Sequence, residues 1–199
     1  SIVVRGGHGT WNLKSGLFLA PGPVQAIRSD GRTLSASGLD GNTRQGYLDL
    51  QQPVTLVLES DRGRITAGRT RWLFSAEQLE SDQPIQAELK NSKVQGRGFK
   101  LDQRTGTVII SNSCRVEQTL ETLTAQRCAW NWRSERVVAD GDVVLQRTEP
   151  EQITRASRME AKISEDGAIR FGQAGARVES TIKLSPAAQE KPRRPQVSF

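Results

Sequence analysis

Side chains that could do covalent or metal chemistry are few in this chain of 199 residues. It contains one histidine, His8, in the stretch Gly6-Gly7-His8-Gly9, and two cysteines, Cys114 and Cys128. A structural zinc site needs four nitrogen or sulfur ligands, and a hydrolase needs a nucleophile beside a base. We interpret the glycine-rich stretch around His8 as a turn or bulge. The sequence therefore predicts no metal site and no catalytic residue.

Motifs of known enzyme classes are also missing from the sequence. There is no GxSxG, no HExxH and no P-loop lysine, and Gly96-Arg97-Gly98 has two glycines without the rest of a dinucleotide fingerprint. We interpret that segment as a β-bulge. The aspartates fall mostly in turns, and no two of them have the fixed spacing of a carboxylate pair. We expect a protein that is not an enzyme and has no cofactor.

The charge pattern favours a solvated surface over an anion site. Lysine and arginine number 28 against 22 acids, so the net charge is +6, but the two signs are interspersed. The four tryptophans could stack on bases, yet they recur in the same part of successive repeats, which favours packing and predicts no nucleic-acid partner. No apolar stretch approaches the roughly 20 residues of a membrane helix.

The two cysteines have two interpretations. In the cytosol Cys114 and Cys128 would be unpaired core residues, whereas in an oxidising compartment they could form a disulfide. A hairpin that turns near Leu120-Glu121-Thr122 would place them on opposite strands. Both interpretations stay open on the residues alone.

A repeat of about 30 residues governs the rest of the chain. One series marks strand starts: Pro23-Val24, Pro53-Val54, Pro84-Ile85, Arg115-Val116, Asp142-Val143 and Arg177-Val178. A second series has apolar-x-small strands: Leu34-Ser35-Ala36, Ile65-Thr66-Ala67, Val94-Gln95-Gly96 and Leu123-Thr124-Ala125. A third is led by glycine: Gly16-Leu17-Phe18-Leu19, Gly46-Tyr47-Leu48 and Gly106-Thr107-Val108. Each repeat reads as short strands joined by polar turns, and no helix is predicted.

Stacked repeats place equivalent residues in rows, so we expect an all-β fold of two facing sheets. This fold is an elongated jelly roll or a flattened, V-shaped β-solenoid. In it, Gln51-Gln52-Pro53 would be a corner between two apolar rows, and Ala76–Glu80 would be a weak strand. The inward side chains would fill the interior, or they would leave a long apolar groove, and both remain possible. Small residues such as Ala36 and Ala125 leave room for the groove.

The ends of the array give three further expectations. The chain opens on the apolar run Ile2-Val3-Val4, which fits a chain that has lost an N-terminal targeting or anchoring segment. The first and last strands would have unpaired edges that another protein can extend. We assign 1–184 to a single domain and 185–199 to a disordered proline-rich basic tail.

The serial pattern resembles one protein family. The segments DGRTLSASGLDGNTRQGYLDLQQPVTLVLES and GRITAGRTRWLFSAEQLESDQPIQAEL resemble the OstA-like repeats of lipopolysaccharide-transport proteins. They share a polar turn, an apolar-x-Ala strand, a Leu-x-Leu strand and a strand that starts with x-Val. The resemblance extends over most of residues 1–184, and it is closer to members of the LptC type than of the LptA type.

The resemblance implies a periplasmic, non-enzymatic role. Proteins of this family hold lipid A acyl chains in an apolar interior, receive lipopolysaccharide from an inner-membrane LptB/LptF/LptG-type transporter, and join LptA-like bridge proteins edge to edge. It implies an inner-membrane anchor before residue 1, and a compartment in which Cys114 and Cys128 could pair. The implied lipid contacts are Leu17, Leu19, Val24, Leu48, Leu50, Val54, Leu56, Ile85, Val108, Ile110, Val116 and Val143. The implied docking edges are Ile2, Val3, Val4, Val178 and Ile182.

Two other interpretations stay open. One is a structural or adhesive β-repeat whose core is filled and carries no lipid. The other is a polysaccharide-acting β-solenoid enzyme, which would need clustered carboxylates on one surface.

Overall fold

Strands and turns make up the described part of the protein, as the all-β prediction required. The computed structural model describes residues 2–57, 63–89, 91–163, 169–172 and 179–182. Over these ranges the chain forms no helix, and hence none that is long and apolar enough to cross a membrane. The predicted tail 185–199 and the edge residue Val178 lie outside the described residues.

Nineteen strands follow one another along the described chain. The first ten are short: β1 (Ile2–Gly6), β2 (Thr10–Trp11), β3 (Leu17–Ala20), β4 (Val24–Arg28), β5 (Thr33–Ala36), β6 (Leu39–Asn42), β7 (Tyr47–Leu50), β8 (Val54–Val57), β9 (Gly63–Ala67) and β10 (Thr70–Leu73). Five of the others are long: β11 (Gln78–Leu89), β12 (Ser92–Asp102), β13 (Thr107–Glu117), β16 (Arg136–Thr148) and β17 (Glu151–Ile163). The remaining four are short: β14 (Glu121–Ala125), β15 (Arg127–Asn131), β18 (Ile169–Gly172) and β19 (Glu179–Ile182).

All strand pairs are antiparallel, and they form two facing half-sheets. Half-sheet A has the order β2-β3-β6-β7-β10-β11-β12-β13-β15-β16-β17-β18, and half-sheet B has β1-β4-β5-β8-β9-β11-β12-β13-β14-β16-β17-β19. The five long strands belong to both, because one end of each pairs in A and the other in B. For example, β11 pairs with β10 at its start and with β9 at its end.

In each repeat the chain crosses from A to B, forms a hairpin there, and returns to A. The crossing points form a corner along the whole molecule. At Gln51-Gln52-Pro53 the chain leaves β7 in half-sheet A and enters β8 in half-sheet B, so the predicted corner is confirmed. In the long strands the corner is a register shift, as between Gln95 and Arg97 in β12, where the bulge was predicted.

Gly96 at this bulge is required by close approach. A Cβ atom on it would lie 2.3 Å from Cγ2 of Ile110 and 3.1 Å from the carbonyl oxygen of Asn112. Any larger residue would therefore push β12 away from β13.

The turns at the outer rim of half-sheet A repeat one local device. The side-chain oxygen of Asn42 accepts hydrogen bonds from the backbone N–H groups of Arg44 and Gln45, at 2.9 and 3.0 Å. Equivalent bonds form at Asn12, Asp102 and Asn131. This Asx-turn geometry explains why the sequence has Asn or Asp at these places. In the third repeat Glu77 closes the turn at φ 55°, so the strand predicted over Ala76–Glu80 begins only at Gln78.

Paired inward residues run as rows across both half-sheets. In half-sheet A one row is Trp11, Phe18, Gly41, Leu48, Trp72, Leu79, Leu101, Val108, Trp130 and Val137. In half-sheet B one row is Val4, Ala26, Leu34, Leu56, Ile65, Ala87, Val94, Val116, Leu123 and Leu145. Stacked repeats thus build one continuous apolar core.

The inward orientation expected for Leu17 and Leu19 is wrong. Their side chains are 57% and 49% exposed, whereas Ala20 is buried and Phe18 packs against the core. The segment Leu17-Phe18-Leu19-Ala20 is apolar at every position, so it has no alternation from which a buried face can be read. Because side chains alternate between the two faces of a strand, a prediction that selects the wrong face is wrong for every side chain on it.

Candidate functional site

A cavity of about 280 Å³ lies between the half-sheets at the N-terminal end of the molecule. This volume is close to the lower end of the range of roughly 300–1,000 Å³ for small-molecule sites. The cavity is lined by Val4, Trp11, Phe18, Val24, Gln25, Ala26, Leu34, Ser35, Ala36, Leu39, Thr43, Leu48, Leu50 and Trp72. Polar atoms contribute almost nothing to its accessible wall, and no charged residue lines it. The wall therefore favours an apolar group over a charged or polar one.

Small side chains in the first repeat explain why the cavity exists. Ala20, Ala26 and Gly41 face inward there. The fourth repeat has Ile110, Val116 and Trp130 at the equivalent places in the same rows. Three small residues thus stand where the fourth repeat has large ones, and the missing volume lies between the half-sheets.

Gly41 cannot be replaced by a larger residue without moving its neighbours. A Cβ atom there would lie 2.4 Å from the carbonyl oxygen of Tyr47. A larger residue would therefore force β6 away from β7.

Beyond the first two repeats the same rows close into a packed core. Leu123 and Val143 are each only 1% exposed, and Ala139 is fully buried. The two alternatives left by the sequence therefore hold for different parts of the described chain. The interior is tightly packed around Leu123, Ala139 and Val143, and it is open at the N-terminal end.

The open end of the cavity lies at the first strands of both half-sheets. Val4 of β1 and Trp11 of β2 line the cavity and are 58% and 56% exposed, which places them at its mouth. The indole N–H of Trp11 donates to the Thr43 hydroxyl at 3.2 Å and so fixes the ring at the rim.

Charged groups support the cavity from the outer face of half-sheet A. Asp49 lies between the cavity residues Leu48 and Leu50 but faces the other way, and it is 5% exposed. Arg71 donates from Nε to Oδ1 at 2.8 Å, and Arg69 donates from Nη2 to Oδ2 at 2.9 Å. The hydrogen bond from Arg71 is the main reason why the pKa of Asp49 is lowered from its ordinary value of 3.8. These bonds tie β7 to β10 behind the cavity wall.

A disulfide joins Cys114 and Cys128, whose Cα atoms are 5.9 Å apart. The two cysteines are not direct partners across one hairpin, because Cys114 pairs with Ala125 in half-sheet B and Cys128 pairs with Ile110 in half-sheet A. The bond therefore connects the two half-sheets at the corner of the fourth repeat, where the core is packed.

The predicted lipid-contact residues fall into three groups. Val24, Leu48 and Leu50 line the cavity. Leu17 and Leu19 lie on the outer surface. The others belong to the packed core or pack against it: Val54, Leu56, Ile85, Val108, Ile110, Val116 and Val143.

Several cavity residues were not among the predicted contacts. Phe18 stands between the two leucines that were chosen instead, and Trp11 and Trp72 were assigned to packing. Leu34 and Ala36 were visible in the sequence as an inward row with small partners, and this row is the signal that could have located the cavity. Among the residues that the structure describes, no group of three or more His, Cys, Asp or Glu side chains could hold a metal ion.

Comparisons with known proteins find similarity among solved structures. No family model and no curated protein matches the chain. Among solved structures, the crystal structure of LptH from Pseudomonas aeruginosa matches at 12% identity, over 88% of this chain and 96% of that chain, with a TM-score of 0.32. LptH is described as the LptA-homologous periplasmic component of a lipopolysaccharide transport device. A TM-score this low carries no argument about function, which must come from the geometry of the chain itself.

Proposed function

We propose that this chain is a periplasmic, non-enzymatic carrier of lipopolysaccharide. An acyl chain of lipid A enters the cavity between the half-sheets at the N-terminal end, and the polar head stays outside. The OstA-like repeat pattern of the sequence indicates the class of cargo. A member of the LptC type is the first choice, with a membrane anchor before residue 1, and a member of the LptA type is the second.

The apolar cavity that opens at the sheet end is the observation that carries this proposal. Its wall has no charge and almost no exposed polar atom, so an acyl chain can enter without leaving any buried polar group unpaired. Burial of apolar surface contributes about 25 cal/mol per Å², so binding is favourable and release toward the next carrier requires energy from the transporter.

Photocrosslinking tests the proposal at matched aromatic positions. Benzoylphenylalanine replaces Phe18, which lines the cavity, or Tyr47, which is in neighbouring β7 but does not line it. We expect the probe at residue 18 to capture lipopolysaccharide and the probe at residue 47 to capture none. Equal capture at both positions, or no capture at either, would contradict acyl binding in the cavity.

Edge-to-edge assembly is the second part of the proposal. Strand β1 pairs only with β4, and β19 pairs only with β17, among the described strands. Each has a free edge that a strand of an LptA-like bridge or of the inner-membrane transporter complex can extend. Crosslinkers at Val3 and at Ile182, combined with pull-downs of such candidate partners, identify which edge meets which protein. Capture at neither edge would contradict this part of the proposal and leave acyl binding standing.

The rival function is a structural or adhesive repeat without cargo. Its support is the packing of the middle repeats, where Leu123 and Val143 are each only 1% exposed. It predicts that no probe in the cavity captures lipid, whereas carriage predicts capture at Phe18.

A further inference from the structure

Exposed large hydrophobic side chains are concentrated at one end of the molecule. Among the described residues, seven large apolar side chains are exposed, and six of them lie between residues 3 and 19. The six are Val3, Val4, Trp11, Leu13, Leu17 and Leu19, and the seventh is Leu120. Single exposed apolar residues are ordinary on soluble proteins, but a cluster of this kind marks an interaction surface.

Edge-to-edge contact with another strand does not cover all of this surface. Leu17 and Leu19 belong to β3, which is already paired on both sides, with β2 and with β6. Their side chains stand on the outer face of half-sheet A, roughly perpendicular to the sheet. A strand added at β1 or β2 would extend the sheet sideways and leave both leucines exposed. A partner that covers them must therefore lie on the outer face and not at the sheet edge.

The charge around the cluster favours an anionic occupant. Lys14 lies between Leu13 and Leu17 of the cluster in the sequence, and residues 1–29 contain no acidic residue. Arg28 of the same stretch is paired with Asp30 at 3.1 Å, so its charge is already partnered. Asp40 faces Leu19 across the β3–β6 pair, but its carboxylate accepts a hydrogen bond from Gln51 and lies 4.0 Å from Arg69. Asp40 thus marks the border of the cluster.

We propose that this N-terminal end docks on the surface of an anionic phospholipid bilayer. Leu17 and Leu19 enter the interface, and Trp11 lies at the level of the headgroups, where amphipathic rings are favoured. Lys14 attracts the anionic headgroups. The docking goes beyond acyl-chain carriage and does not require it.

Vesicle co-sedimentation of the 199-residue chain tests the docking. We expect binding to vesicles of phosphatidylglycerol and phosphatidylcholine, and much weaker binding to phosphatidylcholine alone. The double substitution L17S/L19S should lower the partition coefficient by about tenfold or more, since two interfacial apolar contacts are lost. K14Q should lower it by about fivefold and only on anionic vesicles.

Leu120→Ser is the matched control, because Leu120 is equally exposed but lies outside the N-terminal cluster. It should bind vesicles like the unchanged chain. Unchanged thermal unfolding shows that each variant is folded. The proposal would be overturned if L17S/L19S sedimented with vesicles as strongly as the unchanged chain does, or if the unchanged chain did not sediment with them. A result in which L17S/L19S abolishes self-association or a protein contact while vesicle binding persists would also overturn it.

The same variants separate this proposal from acyl-chain carriage. Leu17 and Leu19 do not line the cavity, so L17S/L19S should retain capture of lipopolysaccharide by the probe at Phe18. Loss of vesicle binding with retained capture supports docking. Absence of capture with retained vesicle binding rejects carriage and leaves docking standing.

Discussion

The guanidinium of Arg28 donates a hydrogen bond of 3.0 Å to the side-chain oxygen of Gln103, 75 residues further along the chain. Arg28 ends β4 in half-sheet B, and Gln103 lies in the turn after β12 in half-sheet A. Arg28 is two and four residues beyond Ala26 and Val24, which line the cavity, so it shares their inward face. The hydrogen bond therefore links the end of β4 in half-sheet B to the turn after β12 in half-sheet A, next to the cavity.

Removing the hydrogen bond between Arg28 and Gln103 should speed the exchange of cargo. In Gln103→Ala we expect the dissociation rate of a bound fluorescent acyl lipid to rise about fivefold, which corresponds to the loss of about 1 kcal/mol from one hydrogen bond. Stopped-flow displacement measures the rate. Gln118→Ala is the matched control, because Gln118 bonds to Ser92 within half-sheet B and should leave the rate unchanged. Equal dissociation rates in Gln103→Ala and the unchanged chain would show that the Arg28–Gln103 bond does not control release.

Two equivalent alanines should respond oppositely to the same substitution. Ala36 lines the cavity, whereas Ala125 is at the corresponding place in the packed fourth repeat. Ala125→Phe overpacks the core and should destabilise the fold by about 1–3 kcal/mol. Ala36→Phe can enter the cavity, so we expect a cost below about 1 kcal/mol together with loss of lipid capture at Phe18. Urea unfolding gives the two free energies. A similar cost for both variants would mean that the cavity is closed in solution.

The sequence predicted the repeat, the strands and the corner at Gln51-Gln52-Pro53, because each of these depends on local pattern. Alternation over two residues selects the buried face of Val54, Ile85 and Val116, and proline and glycine mark the turns. The same reasoning failed at Leu17 and Leu19, where four consecutive apolar residues carry no alternation. There the choice of face is made by pairing with β2 and β6.

The position of the cavity could not be read from any single strand. An open space depends on the side-chain volumes that two facing half-sheets contribute together. Ala26 lies in half-sheet B and Gly41 in half-sheet A, so neither strand alone shows that space is left between them. Comparison between repeats would have helped, because Ala26 and Gly41 stand where the fourth repeat has Val116 and Trp130. The contact of Arg28 with Gln103 has no such signal, since the two residues belong to different repeats and are 75 residues apart.

The disulfide should contribute substantially to stability. Cys114 and Cys128 are 14 residues apart, and closing a loop of about that length in the unfolded chain is worth about 3 kcal/mol. We expect urea unfolding under reducing conditions to show a loss of about 2–3 kcal/mol. The variant C114A/C128A should already be less stable and should not respond to reductant. A reductant effect of the same size in that variant would exclude the disulfide as its cause.

Asp49 should make stability depend on pH in the acid range. Its pKa is lowered from 3.8 chiefly by the hydrogen bond from Arg71, so the folded state binds its proton less readily than the unfolded state. The stabilisation is therefore fully present above the ordinary pKa and is lost as pH falls through the lowered value.

Asp49→Asn should therefore cost about 2 kcal/mol at pH 7, since it removes a buried charge partner of both Arg69 and Arg71. The difference from the unchanged chain should shrink below about pH 4, where the carboxylate begins to be protonated. Urea unfolding at a series of pH values measures it. The control is Asp82→Asn, at an exposed aspartate that accepts a hydrogen bond from the side chain of neighbouring Gln83, and it should cost less than about 0.5 kcal/mol at every pH. A cost for Asp49→Asn that stays constant from pH 7 to pH 3 would show that the carboxylate charge does not hold β7 to β10.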